Sequence, residues 1–188
     1  MNKHGLFIIL SIFAISLIIP PALSAATRGI KVVSKGGQNL HLYGSCHALV
    51  VGISDYKKWP DLPYAVSDAK EVAQRLKELG FEVNLVLDPD SRELKRAINE
   101  MTYGVGREQD RAILFYYAGH GETETMADGT KMGYIIPKDC PTLINNPMGF
   151  ASHAVSMRDI ANMARMRKGM GFFIERLHAG RQRSSKLN

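Results

Sequence analysis

Cysteine is scarce in this chain, which has only Cys46 and Cys140 among its 188 residues. Two cysteines are too few for a disulfide framework, so a small disulfide-stapled scaffold is excluded. We expect two small, partly buried thiols, and pairing of the two in an oxidising compartment is an open alternative. The histidines form neither an i, i+4 helical pair nor a cluster with cysteine, so the sequence predicts no metal site and no cofactor.

Excess positive charge is missing from the body of the chain, although the net charge is +6. Between Arg165 and the C-terminus, seven Lys or Arg residues stand against one acid, Glu175, so this end supplies the whole excess. No basic face interleaved with aromatic residues is left to bind a nucleic acid. We therefore expect no nucleic-acid partner and interpret residues 181–188 as a solvated basic tail.

A long apolar run occurs only at the N-terminus. Met1–His4 is a short positive start, Gly5–Ile19 is almost wholly apolar, and two prolines and a series of small residues follow. This layout predicts a secretory signal peptide over residues 1–26, cleaved near Ala25 or Ala26. The run is short for a membrane span, which needs about 20 residues, so an uncleaved anchor is the lesser alternative. The mature protein is expected to be exported, periplasmic or extracellular, with no membrane attachment.

Apolar runs and amphipathic stretches alternate through residues 46–180, which follow a linker over residues 27–45. This alternation predicts an α/β fold with a doubly wound, mainly parallel sheet flanked by helices. Helices are expected to be capped by Ser67 or Asp68, by Ser91 and by Ser156. The first should end at Gly80 and the second should follow its cap with a buried stripe. The buried positions expected are Ala69, Val72, Ala73, Leu76 and Leu79 in the first helix and Leu94, Ala97, Ile98 and Met101 in the second. Strands are predicted at Ala48–Ile53, Phe81–Leu87, Ala112–Tyr117 and Phe172–Ile174, with a hairpin across Glu122–Pro137.

A histidine between two glycines follows the third predicted strand, within the stretch FYYAGHGE at 115–122. Ligands of such sheets bind beyond the carboxyl ends of the strands, where His120 is expected. The residues alone leave three roles open for it: a structural histidine, a metal ligand, or a general base whose flanking glycines admit close backbone approach. A base needs a nucleophile nearby, yet residues 175–180, after the next strand, contain no Ser, Thr or Cys.

Four stretches, taken in order and spacing, resemble the caspase-like cysteine peptidases, and their bacterial and metacaspase branches most. They read HALVVGISDY, LPYAVSDAKEVAQRLKELGFEV, FYYAGHG and GYIIPKD, and the resemblance runs from His47 to Gly180. It implies a caspase-type sheet, peptide or protein substrates, and hydrolysis of peptide bonds by a Cys-His dyad.

By this resemblance, His120 takes the place of the catalytic base and Gly121 that of a residue whose N–H forms half of the oxyanion hole. The family motif Asp-x-Cys-x-(Ser/Ala)-Gly aligns with ERLHAG at 175–180, so Glu175 takes the substrate-binding Asp place and Leu177 the cysteine place. An isobutyl group cannot attack an acyl carbon, and losing the nucleophile of a comparable triad costs about a million-fold. Cys46 is expected at the far end of the sheet. Cys140 follows the hairpin strand, where its position leaves it open as a replacement nucleophile, but it matches no catalytic motif.

The family pattern continues with further strands, whereas this sequence ends eight residues after Gly180. We therefore expect a domain truncated after the fourth main strand, through a reading frame altered near Gly169 or a degraded gene. The sequence predicts an inactive caspase-like endopeptidase domain, whose intact relative would cleave after basic residues. The alternative is a pseudo-peptidase that binds peptides or a protein partner, and an unrelated α/β small-molecule binder is favoured least. The residues do not indicate an oligomeric state.

Overall fold

The computed structural model describes residues 31–33, 39–41, 44–108, 110–165 and 171–179, with backbone alone for 31–33, 39–41, 162–165 and 171–179. The predicted signal peptide and basic tail, and most of the predicted linker, lie outside these ranges. Two short strands, β1 (Lys31–Val33) and β2 (Asn39–His41), pair antiparallel. The sequence analysis did not predict this pair.

The main sheet contains six strands in the described part of the chain. Four of them run parallel in the order β4-β3-β5-β8, while β6 pairs antiparallel with the end of β5 and β7 with β6. The strands are β3 (Ser45–Gly52), β4 (Glu82–Leu87), β5 (Arg111–Thr125), β6 (Lys131–Ile135), β7 (Val155–Ser156) and β8 (Gly171–Ala179).

Helices cover both faces of this sheet, which confirms the predicted doubly wound, mainly parallel fold. The apolar side of α1 packs on one face, and apolar residues of α2, α3 and α4 pack on the other. A π-helical turn at Glu100–Gly104 and a 3-10 turn at Val105–Arg107 prolong α2. The helices are α1 (Ala65–Glu78), α2 (Ser91–Asn99), α3 (Pro147–His153) and α4 (Met157–Arg165), of which α3 was not predicted.

The start of α1 corrects the predicted cap at Ser67 or Asp68. The helix begins at Ala65, and a first-turn backbone donor, the Val66 N–H, is satisfied by Ser54 Oγ at 3.0 Å from the preceding loop. Tyr64, the residue before the helix, makes no side-chain cap, and the acceptor comes instead from a hydroxyl twelve positions before Val66.

The end of α1 follows the sequence prediction. Gly80 has a positive φ of 91°, and its N–H donates to Lys77 O while the Phe81 N–H donates to Leu76 O, both at 2.9 Å. This pair of bonds is a Schellman motif, which satisfies the last carbonyls of a helix. Leu79, predicted on the buried stripe, is 62% exposed, because the helix ends at Glu78 and Leu79 is already its C-cap residue.

The caps of the other two predicted helices lie close to their predicted positions. Asp90, not Ser91, caps α2, and its carboxylate accepts from the backbone N–H of Glu93 while the Glu93 carboxylate accepts from the Asp90 N–H. Ser156 caps α4 as predicted, with Ser156 Oγ accepting from the Asp159 N–H at 3.1 Å. The predicted α2 stripe is buried throughout: Leu94, Ala97, Ile98 and Met101.

Strand β5 is much longer than the predicted Ala112–Tyr117. It runs from Arg111 to Thr125, because β8 pairs along one edge as far as Gly121, while on the other edge β3 pairs as far as Ala118 and β6 from Gly121 onward. His120 therefore lies inside a strand, at the exchange of partners, and not in a loop beyond a strand end. The predicted hairpin is confirmed, with Gly129 in its turn at a φ of 81°.

A buried histidine at the amino ends of the strands makes stability depend on pH. Burial lowers the pKa of His47 below its usual 6.5, an effect that Glu82 opposes from 3.3 Å and Arg111 reinforces. The imidazole of His47 therefore binds a proton less readily in the folded chain than in the unfolded chain. Its contribution to the free energy of unfolding is present above pH 6.5 and is lost as the pH falls toward the lower folded pKa. We expect a lower urea midpoint at about pH 5.5 than at about pH 7.5, two values on either side of the usual histidine pKa.

The His47→Gln variant tests this assignment, because glutamine can still bond to Ser45 Oγ, which lies 2.9 Å from the His47 ring. The variant should show a smaller drop in urea midpoint over the same pH range. An equal drop in both proteins would contradict a role for His47.

Candidate active site

His120 is almost completely buried, with 3% of its surface exposed. Two aromatic rings from the loop between β3 and α1 enclose its imidazole: Tyr56 lies edge-on with 4.7 Å between ring centroids, and Trp59 lies tilted at 5.5 Å. The imidazole is thus held in a defined orientation, as a general base requires.

A backbone carbonyl fixes the tautomer of this imidazole. His120 Nε2 lies 2.7 Å from Pro60 O. A carbonyl oxygen can only accept a hydrogen bond, so Nε2 carries the proton in the neutral ring, and Nδ1 carries the lone pair. Nδ1 is therefore the atom of His120 that can take a proton from a nucleophile.

Contacts with the segment after β6 hold the loop that carries Pro60. The Lys57 N–H donates to Lys138 O and Trp59 Nε1 donates to Cys140 O, each at 3.0 Å. Lys138 also forms an ion pair with Asp55, with 2.6 Å between Nζ and Oδ2. The acceptor for His120 therefore belongs to a braced loop.

The backbone of β8 brings the predicted nucleophile position to the level of His120. Leu177 is the Cα partner of Gly119, and His178 is the partner of His120, so Leu177 lies one residue from the register of the base. Neighbouring strands are about 4.8 Å apart. Glu175 is the partner of Tyr117, two residues earlier along the same strand.

Gly121, the predicted oxyanion-hole residue, directly follows His120 and is partly exposed. At Gly121 the antiparallel pairing with β6 begins, on the edge that β3 leaves at Ala118, while the parallel pairing with β8 continues on the other edge. Between β3 and β6 the ladder is interrupted beside the base, and the His120 N–H donates to Tyr56 Oη there.

The two cysteines are buried and do not form a disulfide with each other. Cys46 is the Cα partner of Ala112, and His120 lies eight residues further along β5, so about 26 Å of strand separates the two levels. The predicted placement of Cys46 at the far end of the sheet is confirmed.

Cys140 lies on the same side of the sheet as the site but has the properties of a structural thiol. Its Sγ is 3.4 Å from Pro141 O, its side chain is fully buried, and burial, reinforced by the Asp139 charge, raises its pKa to about 12. A thiol with such a pKa is not ionised at neutral pH, and the thiolate is the nucleophilic form.

Within the described ranges, no three or more His, Cys, Asp or Glu side chains are grouped so that they could bind a metal ion. No helix in those ranges has the length and apolar character needed to cross a bilayer.

Three residues that surround the imidazole, Tyr56, Trp59 and Pro60, were not among the predicted site residues. They belong to the loop SDYKKWP, whose aromatic residues and proline lie between a buried strand and a helix. The tryptophan and the tyrosine of this loop could have indicated a packed site, because large aromatic residues in a loop after a core strand usually pack against other residues.

Comparison with known proteins places these residues in a family. The model of the caspase domain family matches residues 45–185, which is most of the chain. The human mucosa-associated lymphoid tissue lymphoma translocation protein 1 is 29% identical over 96 residues, a stretch that covers 50% of this chain and 11% of that protein.

Two solved structures superpose on this chain to different extents. A Geobacter sulfurreducens protein superposes with a TM-score of 0.52 at 16% identity, over 72% of this chain and 50% of that one. The Drosophila initiator caspase Dronc gives 0.48 at 14% identity, over 68% and 47% of the two chains. The chain thus spans about half the length of these solved relatives and about a tenth of the human protein. The extent of the family match shows that this chain belongs to the caspase-domain family of peptidases.

Proposed function

We propose that this chain is a caspase-type domain that keeps the histidine half of the catalytic dyad and binds peptide segments without cleaving them. The observation that carries this proposal is the register of two strands: Leu177 on β8 is one residue out of register with His120 on β5. In the proposed role, leucine occupies the nucleophile position, so no acyl-enzyme forms.

The base side of the site supports a peptidase ancestry. The imidazole is held by Pro60 O on one nitrogen, so Nδ1 has the lone pair that a thiol would need. The ring therefore presents to a neighbouring nucleophile the nitrogen that a Cys-His dyad would use.

Three carboxylates close to the site in sequence could bind a basic side chain of a peptide. Glu122 follows Gly121, and Asp61 follows Pro60, so two carboxylates are adjacent in sequence to residues of the site. Glu175 supplies a third at the family's substrate-binding position on β8, two residues before Leu177. Carboxylates bind the guanidinium of arginine through charged, often bidentate hydrogen bonds.

Binding without cleavage is tested with fluorescent peptides that carry a central Arg, Lys or Asp. We expect the Arg and Lys peptides to bind more tightly than the Asp peptide, measured by fluorescence anisotropy. We also expect no release of product from the matching peptide amides, with or without a thiol alkylating agent. Thiol-sensitive hydrolysis by the unmodified chain would contradict the proposal and point to Cys140.

The Glu175→Gln variant provides the matched control, because it removes the charge and keeps the shape of the side chain. It should weaken the Arg peptide about tenfold, which is about 1.4 kcal/mol, and leave the Asp peptide unchanged or bound more tightly. Equal affinities of both peptides for both proteins would exclude a basic specificity at this position.

A further inference from the structure

Two tyrosine hydroxyls bind both backbone polar groups of His120. The His120 N–H donates to Tyr56 Oη at 2.9 Å, and Tyr117 Oη donates to His120 O at 2.9 Å. Tyr56 comes from the loop between β3 and α1, whereas Tyr117 lies three residues earlier in the same strand as His120. The backbone of His120 is thus hydrogen-bonded to one side chain from its own strand and to one side chain from a separate loop.

The two hydroxyls are joined to each other, and the direction of that bond can be derived. Tyr117 Oη has one proton, directed at the carbonyls of His120 and Ile136, and it accepts from the Ile136 N–H at 3.2 Å. Carbonyls do not donate, so the Tyr117 proton is committed, and Tyr56 must be the donor across the 3.5 Å between the hydroxyls. Hydrogen bonds therefore run in a closed ring: His120 N–H to Tyr56, Tyr56 to Tyr117, and Tyr117 to His120 C=O.

The ring is buried and has no spare room. Tyr117 is fully buried and Tyr56 is 6% exposed, and burial raises the pKa of Tyr56 to about 12, so its donor proton is kept at neutral pH. A Cβ on Gly119 would lie 2.4 Å from Tyr117 Oη and 2.7 Å from Tyr56 Oη. Buried hydrogen bonds of this kind strengthen one another in a low dielectric and specify a single arrangement.

We propose that Tyr56 and Tyr117 are positioning residues that hold His120 so that its imidazole stays on Pro60 O with Nδ1 as the base. Tyr56 and Pro60 belong to one loop, so this loop holds the backbone of His120 at one point and its ring at another. The inference rests on the proposed function only in treating His120 as the base. The ring of hydrogen bonds itself does not depend on Leu177.

Nitrogen NMR of the chain labelled with 15N-histidine tests the proposal, with the His120 signals assigned by their loss in His120→Gln. The unmodified chain should show His120 as a single Nε2–H tautomer. Tyr56→Phe and Tyr117→Phe each delete one hydroxyl and keep the ring, and each should produce a mixture in which the Nδ1–H tautomer becomes detectable. A purely structural role would lower the melting temperature of these variants and leave the tautomer of the folded protein unchanged.

Tyr134→Phe is the matched control. Its hydroxyl donates to Glu124 Oε2 at 3.0 Å on the hairpin, so the same deletion should leave the His120 tautomer single. A single tautomer in both Tyr56→Phe and Tyr117→Phe would overturn the proposal, as would a mixture in the unmodified chain.

Should either variant fail to fold, the unmodified chain still decides the matter. The ring predicts a slowly exchanging Tyr56 hydroxyl proton with a nuclear Overhauser contact to the His120 amide, and the lack of that contact would overturn the proposal. Failure of the proposed function would show separately, as no binding of basic peptides, without any change in these spectra.

Discussion

Leu177→Cys is expected to convert the chain into a protein with a reactive thiol and measurable peptidase activity. Residue 177 is the Cα partner of Gly119, one residue from the level of His120, whose Nδ1 has the lone pair because Nε2 donates to Pro60 O. Histidine beside a cysteine lowers the thiol pKa from about 8.5 into the range of about 3.5 to 7.5. The rate of alkylation by iodoacetamide should therefore stay high at pH values where an ordinary cysteine is protonated.

Hydrolysis of Arg and Lys peptide amides is the second measurement on this variant. We expect a rise of about a hundredfold or more over the unmodified chain, the contribution that a positioned acid–base group typically makes. This is well short of the about million-fold that a complete triad loses with its nucleophile, because one substitution restores the thiol and not its surroundings.

Two further substitutions show whether the reactivity comes from the new cysteine and depends on His120. Cys140→Ser removes the buried thiol, and adding His120→Gln to Leu177→Cys removes the base while keeping the new cysteine. The low-pH reactivity should survive the first change and disappear with the second. If the cysteine at 177 instead titrates like a free thiol with or without His120, then the alignment of residues 175–180 with the family motif is wrong.

The sequence predicted the fold well where local and global signals agree. The run Ala48–Ile53 is apolar on both faces because β3 lies between β4 and β5 and is covered by helices on both sides. Gly80 ended α1 as expected, because a left-handed residue is needed there and glycine adopts it without strain.

The errors lie where a distant residue decides local structure. No short-range pattern indicates that Ser54 Oγ, and not a residue beside the helix, satisfies the Val66 N–H. The length of β5 was also missed, since its last residues alternate weakly and are held as a strand by β6 and β8. The partners of His120 were missed for the same reason, because Tyr56 and Pro60 lie about 60 positions earlier in the chain.

Gly119→Ala is expected to be among the most destabilising single changes near the site. A methyl group would approach Tyr117 Oη to 2.4 Å and Tyr117 Cζ to 2.6 Å, well inside contact distance. These atoms cannot move freely, because Tyr117 Oη bonds to His120 O and Ile136 O at 2.9 and 3.0 Å within the core. Overpacking of a core costs about 1–3 kcal/mol, and each hydrogen bond broken to relieve it adds about 1 kcal/mol.

Urea unfolding measures this loss, and Gly104→Ala is its matched control. A Cβ at Gly104 has no atom within 4 Å, and the same substitution there should be neutral or slightly stabilising, since alanine restricts the unfolded chain. Gly119 needs no positive φ, so the expected cost of Gly119→Ala comes from its contacts with Tyr117 and Tyr56. Equal midpoints for Gly119→Ala and Gly104→Ala would mean that the two hydroxyls do not occupy the space beside residue 119. The chain therefore needs glycine before His120. A side chain at position 119 would occupy the space of the two tyrosine hydroxyls, and the ring of hydrogen bonds around the base could not close.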